Sequence, residues 1–155
     1  MKRLSWKYMA GLIDGEGCID MQGSRDKRDG TYYCRPRLRL IMSGIAGKEI
    51  TEMCLANFGG SKDHNRHFDN PKWQKPYGWC LTGKVDQRKF MQNIVNHLII
   101  KKEQVKFSIW WIDNIMGKHV TEEVKRFGVD ELKAMKLDPH RLSERAVIGI
   151  QSLMR

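Results

Sequence analysis

Apolar side chains return every third or fourth residue near the start of the chain. Leu4, Tyr8 and Leu12 form one row, and Met9 and Ile13 form a second. That spacing predicts a short helix, capped by Ser5 and running from Trp6 to about Asp14. Gly11 and Gly15 lie four apart on one face and leave it without side-chain bulk, so that another helix backbone can approach closely. Gly15 and Gly17 are expected to end the helix. After Gly17 the period becomes two. Cys18, Asp20 and Gln22 point one way while Ile19 and Met21 point the other, and residues 23–30 read as a polar turn. Alternation then returns, with Arg35, Arg37 and Arg39 opposite Leu38, Leu40 and Met42. Pro36 marks this second strand as an edge or strand-entry segment.

Residues 43–47 read as a loop ahead of a helix from Lys48 to Phe58, with Ile50, Met53, Cys54 and Phe58 inward and Gly59-Gly60 as its stop. Ser61 to Thr82 reads as a longer hairpin, with Lys62, His64 and Arg66 on its first strand and Trp79 and Leu81 as core anchors of its second. The connection 68–76 is polar, aromatic and Pro-flanked, a composition suited to riding on a partner surface. A third helix, about Asp86 to Leu98, turns Phe90, Ile94, Val95 and Leu98 inward. A fourth runs to about Met116 and carries Val105, Phe107, Ile109, Trp110 and Ile112, apolar on much of its circumference and therefore central. Beyond Gly117, Thr121-capped and Ser143-capped amphipathic segments, broken near Gly128 and Pro139, read as a helical flank. The order helix, two strands, helix, two strands, helix predicts an α+β fold. One domain is expected over 1–155, with a core at about 5–116 and a flank at about 117–155.

Charge narrows the partner. The 155 residues hold 28 Lys and Arg against 18 Asp and Glu, a formal +10, and such an excess on a small chain favours a polyanion. No apolar run approaches the ~20 residues of a membrane span, and Met1 to Trp6 lacks the apolar run of a secretion signal, so a soluble intracellular protein is expected. Cys18, Cys34, Cys54 and Cys80 are scattered without a C-x-x-C pair, which argues against a zinc knuckle, and thiols are expected rather than disulfides.

Two groupings carry candidate chemistry. Arg35, Arg37 and Arg39 in register on one strand face repel one another unless a counter-charge lies over them, and Arg matches the O6 and N7 acceptors of guanine, so the face reads as DNA-facing rather than simply solvated. Asp14 and Glu16 sit at the negative end of the first helix, a placement that costs roughly 0.3–1 kcal/mol for each carboxylate. A divalent cation would reverse that cost, but taken alone the pair reads as a solvated helix end with two tolerated acids.

The full string Met9-Ala10-Gly11-Leu12-Ile13-Asp14-Gly15-Glu16-Gly17 closely resembles the signature of the LAGLIDADG homing endonucleases. It departs by Met for the first Leu, Gly for the third Ala-type position and Glu for the second acid. The string occurs once, and the family's one-motif members act as homodimers. The resemblance implies an αββαββα fold, whose curved antiparallel sheet forms a saddle on DNA, with extra C-terminal helices here. It implies Glu16 as the metal-binding acid for Mg²⁺ or Mn²⁺, the Gly15 carbonyl as its helper, and Asp14 as helix-end architecture. Lys101, at the start of the fourth helix, matches the family's basic residue, and Ser43 is the nearest polar candidate for positioning water. Asp20, Gln22, Ser24, Arg35, Arg37, Arg39, His64 and Arg66 would contact DNA, and Tyr8, Gly11, Leu12 and Gly15 would form the dimer interface. The implied activity is site-specific double-strand DNA cleavage at a near-palindromic site, by a protein encoded in an intron or similar mobile element. An intron RNA maturase or a nuclease-dead DNA-binding regulator are the alternatives on the same fold.

Overall fold

The computed structural model describes residues 2–63 and 72–155. Along them run α1 (Trp6–Glu16), β1 (Gly17–Arg25), β2 (Tyr32–Ser43), α2 (Gly44–Phe58), β3 (Ser61–Asp63), β4 (Pro76–Leu81) and α3 (Lys84–Ile94). A 3₁₀ turn (Val95–His97), α4 (Lys102–Asn114), α5 (Glu122–Leu137) and α6 (Ser143–Leu153) follow. The predicted alternation of helices and strand pairs is present, and the fold is α+β. Among the described residues the four strands form one sheet in the order β1-β2-β4-β3. No helix among them is long and apolar enough to cross a membrane. The chain separates into two compact units, Met1–Cys18 with Leu38–Leu98, and Ile19–Arg37 with Ile99–Arg155.

In the first unit, β2 pairs antiparallel with β4 from Leu38 opposite Leu81 to Ser43 opposite Pro76, and β3 pairs with the other side of β4. The period-two pattern buries Leu38 and Leu40 as expected, and Trp79 and Leu81 are the predicted anchors. Trp6, Phe58, Trp79 and Phe90 form an aromatic cluster with centroids 5.0 Å apart for Trp6–Phe58 and Phe58–Phe90 and 5.2 Å for Trp79–Phe90. These separations suit tilted and edge-to-face packing. The Trp79 Nε1–H donates to the Gly59 carbonyl at 2.7 Å, so its buried polar handle is satisfied. The expected loop at 43–47 is helix instead: α2 starts at Gly44, whose N–H donates to the Lys75 carbonyl at 3.0 Å. Gly47 is buried against the Met42 backbone, a packing position rather than a loop position. The third helix also differs, since α3 stops at Ile94 and tightens into the 3₁₀ turn before buried Leu98.

The second unit holds the hairpin formed by the facing ends of β1 and β2, together with α4, α5 and α6. The Asp26 N–H donates to the Thr31 carbonyl (2.9 Å) and the Gly30 N–H to the Asp26 carbonyl (2.9 Å), which closes its turn, and β1 extends to Arg25 where a turn was expected. Pro36 does not make β2 an edge: the strand has neighbours on both sides. Pairing with β4 starts only at Leu38, so the missing N–H of Pro36 breaks no bond to that strand. α4 buries Val105, Phe107, Trp111 and Ile112, so the core indole is Trp111, while Trp110 is half-buried. Thr121 caps α5 as predicted, its Oγ1 accepting from the Val124 N–H at 3.3 Å. The helix then runs unbroken through Gly128, where a Cβ would run into the Trp111 indole. Ser143 is the first residue of α6 rather than its cap. Its N–H and Oγ–H both donate to Glu103 Oε2 at 2.8 Å, which ties α6 to the first turn of α4.

Candidate functional site

α1 carries two contrasting faces. Met9, Ala10 and Ile13 are fully buried. Tyr8, Gly11 and Gly15 are exposed and Leu12 is half-buried, and these four follow one another at helical spacing along the opposite face. A Cβ placed on Gly11 or Gly15 would meet nothing within 4 Å. The Ser5 side chain caps the helix, accepting from the Tyr8 N–H at 3.2 Å.

The helix runs two residues further than its periodicity predicts, through Gly15 to Glu16, and Gly17 is its cap. Gly17 has extended backbone, φ −77° and ψ 155°, and its N–H bonds to the Ile13 carbonyl. Its glycine answers crowding rather than a left-handed turn, because a Cβ would come within 2.6 Å of the Ile13 oxygen. Glu16 is therefore the last helical residue, exposed, and half-buried Asp14, two residues earlier, lies on nearly the opposite side of the helix. No basic side chain lies in the last turn of α1, the end at which the helix dipole disfavours carboxylates.

Among the described residues no group of three or more His, Cys, Asp or Glu side chains could cage a metal ion. The donors present fit a different kind of ion site. Mg²⁺ binds through one or two carboxylates and keeps water and phosphate oxygens as its other ligands. Glu16 supplies an exposed carboxylate, and the carbonyl of exposed Gly15 belongs to the last turn, where carbonyls lack intrahelical partners. Both donors are hard oxygens.

Ser43 is exposed, closes β2 and stands at the N-cap of α2 without a side-chain cap bond. The contacts of Arg37 with Asp20 and of Arg39 with Cys18 step two residues for two along the neighbouring strands. Lys101, in the second unit, is the half-buried N-cap residue of α4, and its carbonyl accepts from the Val105 N–H at 3.1 Å.

The arginine face is more self-contained than its sequence suggests. Arg37 donates from Nε to Asp20 Oδ1 at 3.0 Å and from Nη2 to Asp20 Oδ2 at 2.9 Å. Arg39 lies 3.6 Å from the Asp63 carboxylate and donates weakly to the Cys18 sulfur at 3.9 Å. Two of the three arginines thus have carboxylates within the chain, which removes the need for an external counter-charge at those positions. Asp63 was missed because its partner is distant in sequence. Arg35 and Ser24 are exposed and Gln22 is half-buried. In the second unit these three line a cavity of about 840 Å³ together with Lys118, His119 and Lys125, three further residues that sequence reasoning left in an unassigned tail. Lys125 donates to the Tyr32 carbonyl at 2.6 Å, which fixes α5 to the hairpin. His64 and Arg66 lie outside the described residues.

Two cysteines touch these groupings: Cys18 contacts Arg39, and Cys34 lines the cavity beside Arg35 and Lys125. None is in a disulfide. Burial pushes the Cys34 thiol up to about 12 despite the nearby Lys125 charge, and burial does the same for Cys54.

No protein-family model and no curated protein matches the chain. Solved structures do. The homing endonuclease I-CvuI, crystallised with a DNA target and Mg and the DNA not cleaved, is 16% identical over 97% of this chain and 94% of its own, with a TM-score of 0.67. The homing endonuclease I-TnaI is 20% identical over 96% of this chain and 99% of its own, with a TM-score of 0.64. The LAGLIDADG homing endonuclease I-GzeII, in complex with a DNA target, is 16% identical over 91% of this chain but only 50% of its own, with a TM-score of 0.60. The chain therefore has the fold of the LAGLIDADG homing endonucleases, at the length of I-CvuI and I-TnaI and half that of I-GzeII.

Proposed function

We propose that this chain is a divalent-metal-dependent, sequence-specific DNA endonuclease that acts as a homodimer, with one active site built around Glu16 of each copy. The observation that carries the reading is the exposed Glu16 carboxylate at the end of a helix whose Gly11 and Gly15 positions have none of the described residues within 4 Å of an added Cβ. Nothing among the described residues requires glycine at positions 11 and 15, whereas a second α1 packed there would. Two-fold packing of that face brings two Glu16 ends together and matches a near-palindromic duplex. The match to half of I-GzeII supports the same arithmetic, since a chain of half that length supplies the second half by duplication.

Glu16 and the Gly15 carbonyl would hold Mg²⁺ or Mn²⁺. When bound, such an ion neutralises phosphate charge and makes water a stronger nucleophile at neutral pH. The chain's own groups do the rest. Lys101, which the motif resemblance matches to a basic residue, would supply a cation to balance charge developing on the phosphate. Ser43 offers a hydroxyl to orient the attacking water. The polar face of β1 and β2 sets the register on the duplex, and the formal +10 supplies affinity through phosphates. Hydrolysis adds water across one P–O bond of each strand, leaving a 5′-phosphate on one side and a 3′-hydroxyl on the other.

The test is cleavage of a randomised duplex library by the purified chain with Mg²⁺, with EDTA, and with Glu16→Gln. Glu16→Gln should lower cleavage more than about a hundredfold, since metal assistance is worth several kcal/mol, while DNA binding persists. Cutting that survives EDTA or Glu16→Gln would overturn the assignment, and binding without any cutting would make the protein a regulator.

A further inference from the structure

The ion pair between Asp20 on β1 and Arg37 on β2 joins a pure acceptor to a pure donor on the polar face of the hairpin. Both side chains are 22% exposed, enough to be reached from outside and enough covered to be held. Two parallel bonds along the Nε edge of the guanidinium (3.0 and 2.9 Å) fix its plane. Asp20 occupies that edge, so a base would be met by the terminal Nη edge. Charge follows the same logic. A guanidinium with a carboxylate bound to it gains less from a phosphate than a lone arginine does, because the pair carries no net formal charge. It gains most from a partner that offers acceptors beside a donor.

In the major groove a G·C pair offers that arrangement: guanine N7 and O6 accept, and the cytosine N4 amino group donates. An A·T pair puts a donor between two acceptors and a methyl group beyond them, which would set the adenine amino group against Arg37 and the thymine O4 against Asp20. We propose that Asp20 and Arg37 read one G·C pair in each half-site as a single unit, Arg37 donating to the guanine and Asp20 both orienting Arg37 and accepting from the cytosine. The assignment rests on the DNA-endonuclease reading above.

The experiment is selection of binding sites from a randomised duplex pool by the full-length wild type, Asp20→Asn, Arg37→Ala, the double variant and Arg35→Ala, with thermal melts to show that each is folded. Wild type should enrich G·C at one position per half-site, by roughly five- to 150-fold over other pairs. Asp20→Asn and Arg37→Ala should each lose that enrichment at the same position and leave the others intact. The double variant should lose no more than either single one, and Arg35→Ala should leave that position unchanged. A profile unaltered by Asp20→Asn, or different positions altered by the two single variants, overturns the pair. So does a uniform loss across all positions. A wild type that enriches no sequence overturns the endonuclease reading itself and the pair with it.

Discussion

Gly11 and Gly15 of α1 and Gly128 of α5 are all glycines inside helices, where the residue costs roughly 0.5–1 kcal/mol relative to alanine. Gly128 is explained within the chain. The fully buried Trp111 indole occupies the space that a Cβ would need, so the helix accepts a poor helix former in order to pack on the ring. Gly11 and Gly15 have none of the described residues within 4 Å of an added Cβ, so none of those residues benefits from the missing side chains. A helix cost without an internal benefit points outward. The same contrast separates two carboxylates. Glu103, in the first turn of α4, accepts two bonds from Ser143 and one from Lys106 at 2.9 Å. Glu16 stands exposed at the wrong end of its helix dipole.

The largest break in this comparison comes from bulk on the open face. Gly11→Leu should abolish double-strand cleavage, yet leave stability in urea within about 0.5 kcal/mol of wild type, as for an ordinary surface change. Bulk at the filled glycine should do the reverse. Gly128→Val overpacks against Trp111 and should cost about 1–3 kcal/mol, lowering the melting temperature by about 2–4 °C per kcal/mol in a chain of this size. Equal stability losses for the two variants would erase the distinction between them.

The smallest effect sharpens the carboxylate contrast. Burial works to raise the Glu103 pKa, but the N–H of Ser143, the Lys106 ammonium and the Ser143 hydroxyl outweigh it and hold the group below the ordinary glutamate range. A carboxylate depressed in the folded state contributes stability above its unfolded pKa, and that contribution is lost as pH falls through the folded value. Wild type should therefore be slightly more stable than Glu103→Gln in urea at neutral pH, with the difference shrinking below the ordinary glutamate pKa and gone below the depressed folded one. A difference that grew on acidification would contradict the Ser143 contact.

Much of the fold was legible because period carries it. The two rows of α1, the switch at Gly17 and the Leu38–Leu40 alternation each depend only on near neighbours in sequence. What was misread depends on distant ones. Gly128 looks like a helix breaker until Trp111 is placed against it, and Ser143 looks like a cap until Glu103 takes both its donors. The arginine row looks like an unbalanced charge until Asp20 and Asp63 are beside it. At the candidate site, Glu16 and Gly15 could be named from the motif string. The residues that share a cavity with Gln22 and Arg35, namely Lys118, His119 and Lys125, carry no local pattern that would have marked them.

The most direct measurement is the mass of the protein on DNA by sedimentation, for wild type and Gly11→Leu on a duplex that the wild type cleaves. Two copies of wild type per duplex, with Gly11→Leu reduced to one copy and unable to cut both strands, is the predicted result. A wild-type chain that stays monomeric on that duplex and still cuts both strands would contradict the account of the open glycine face.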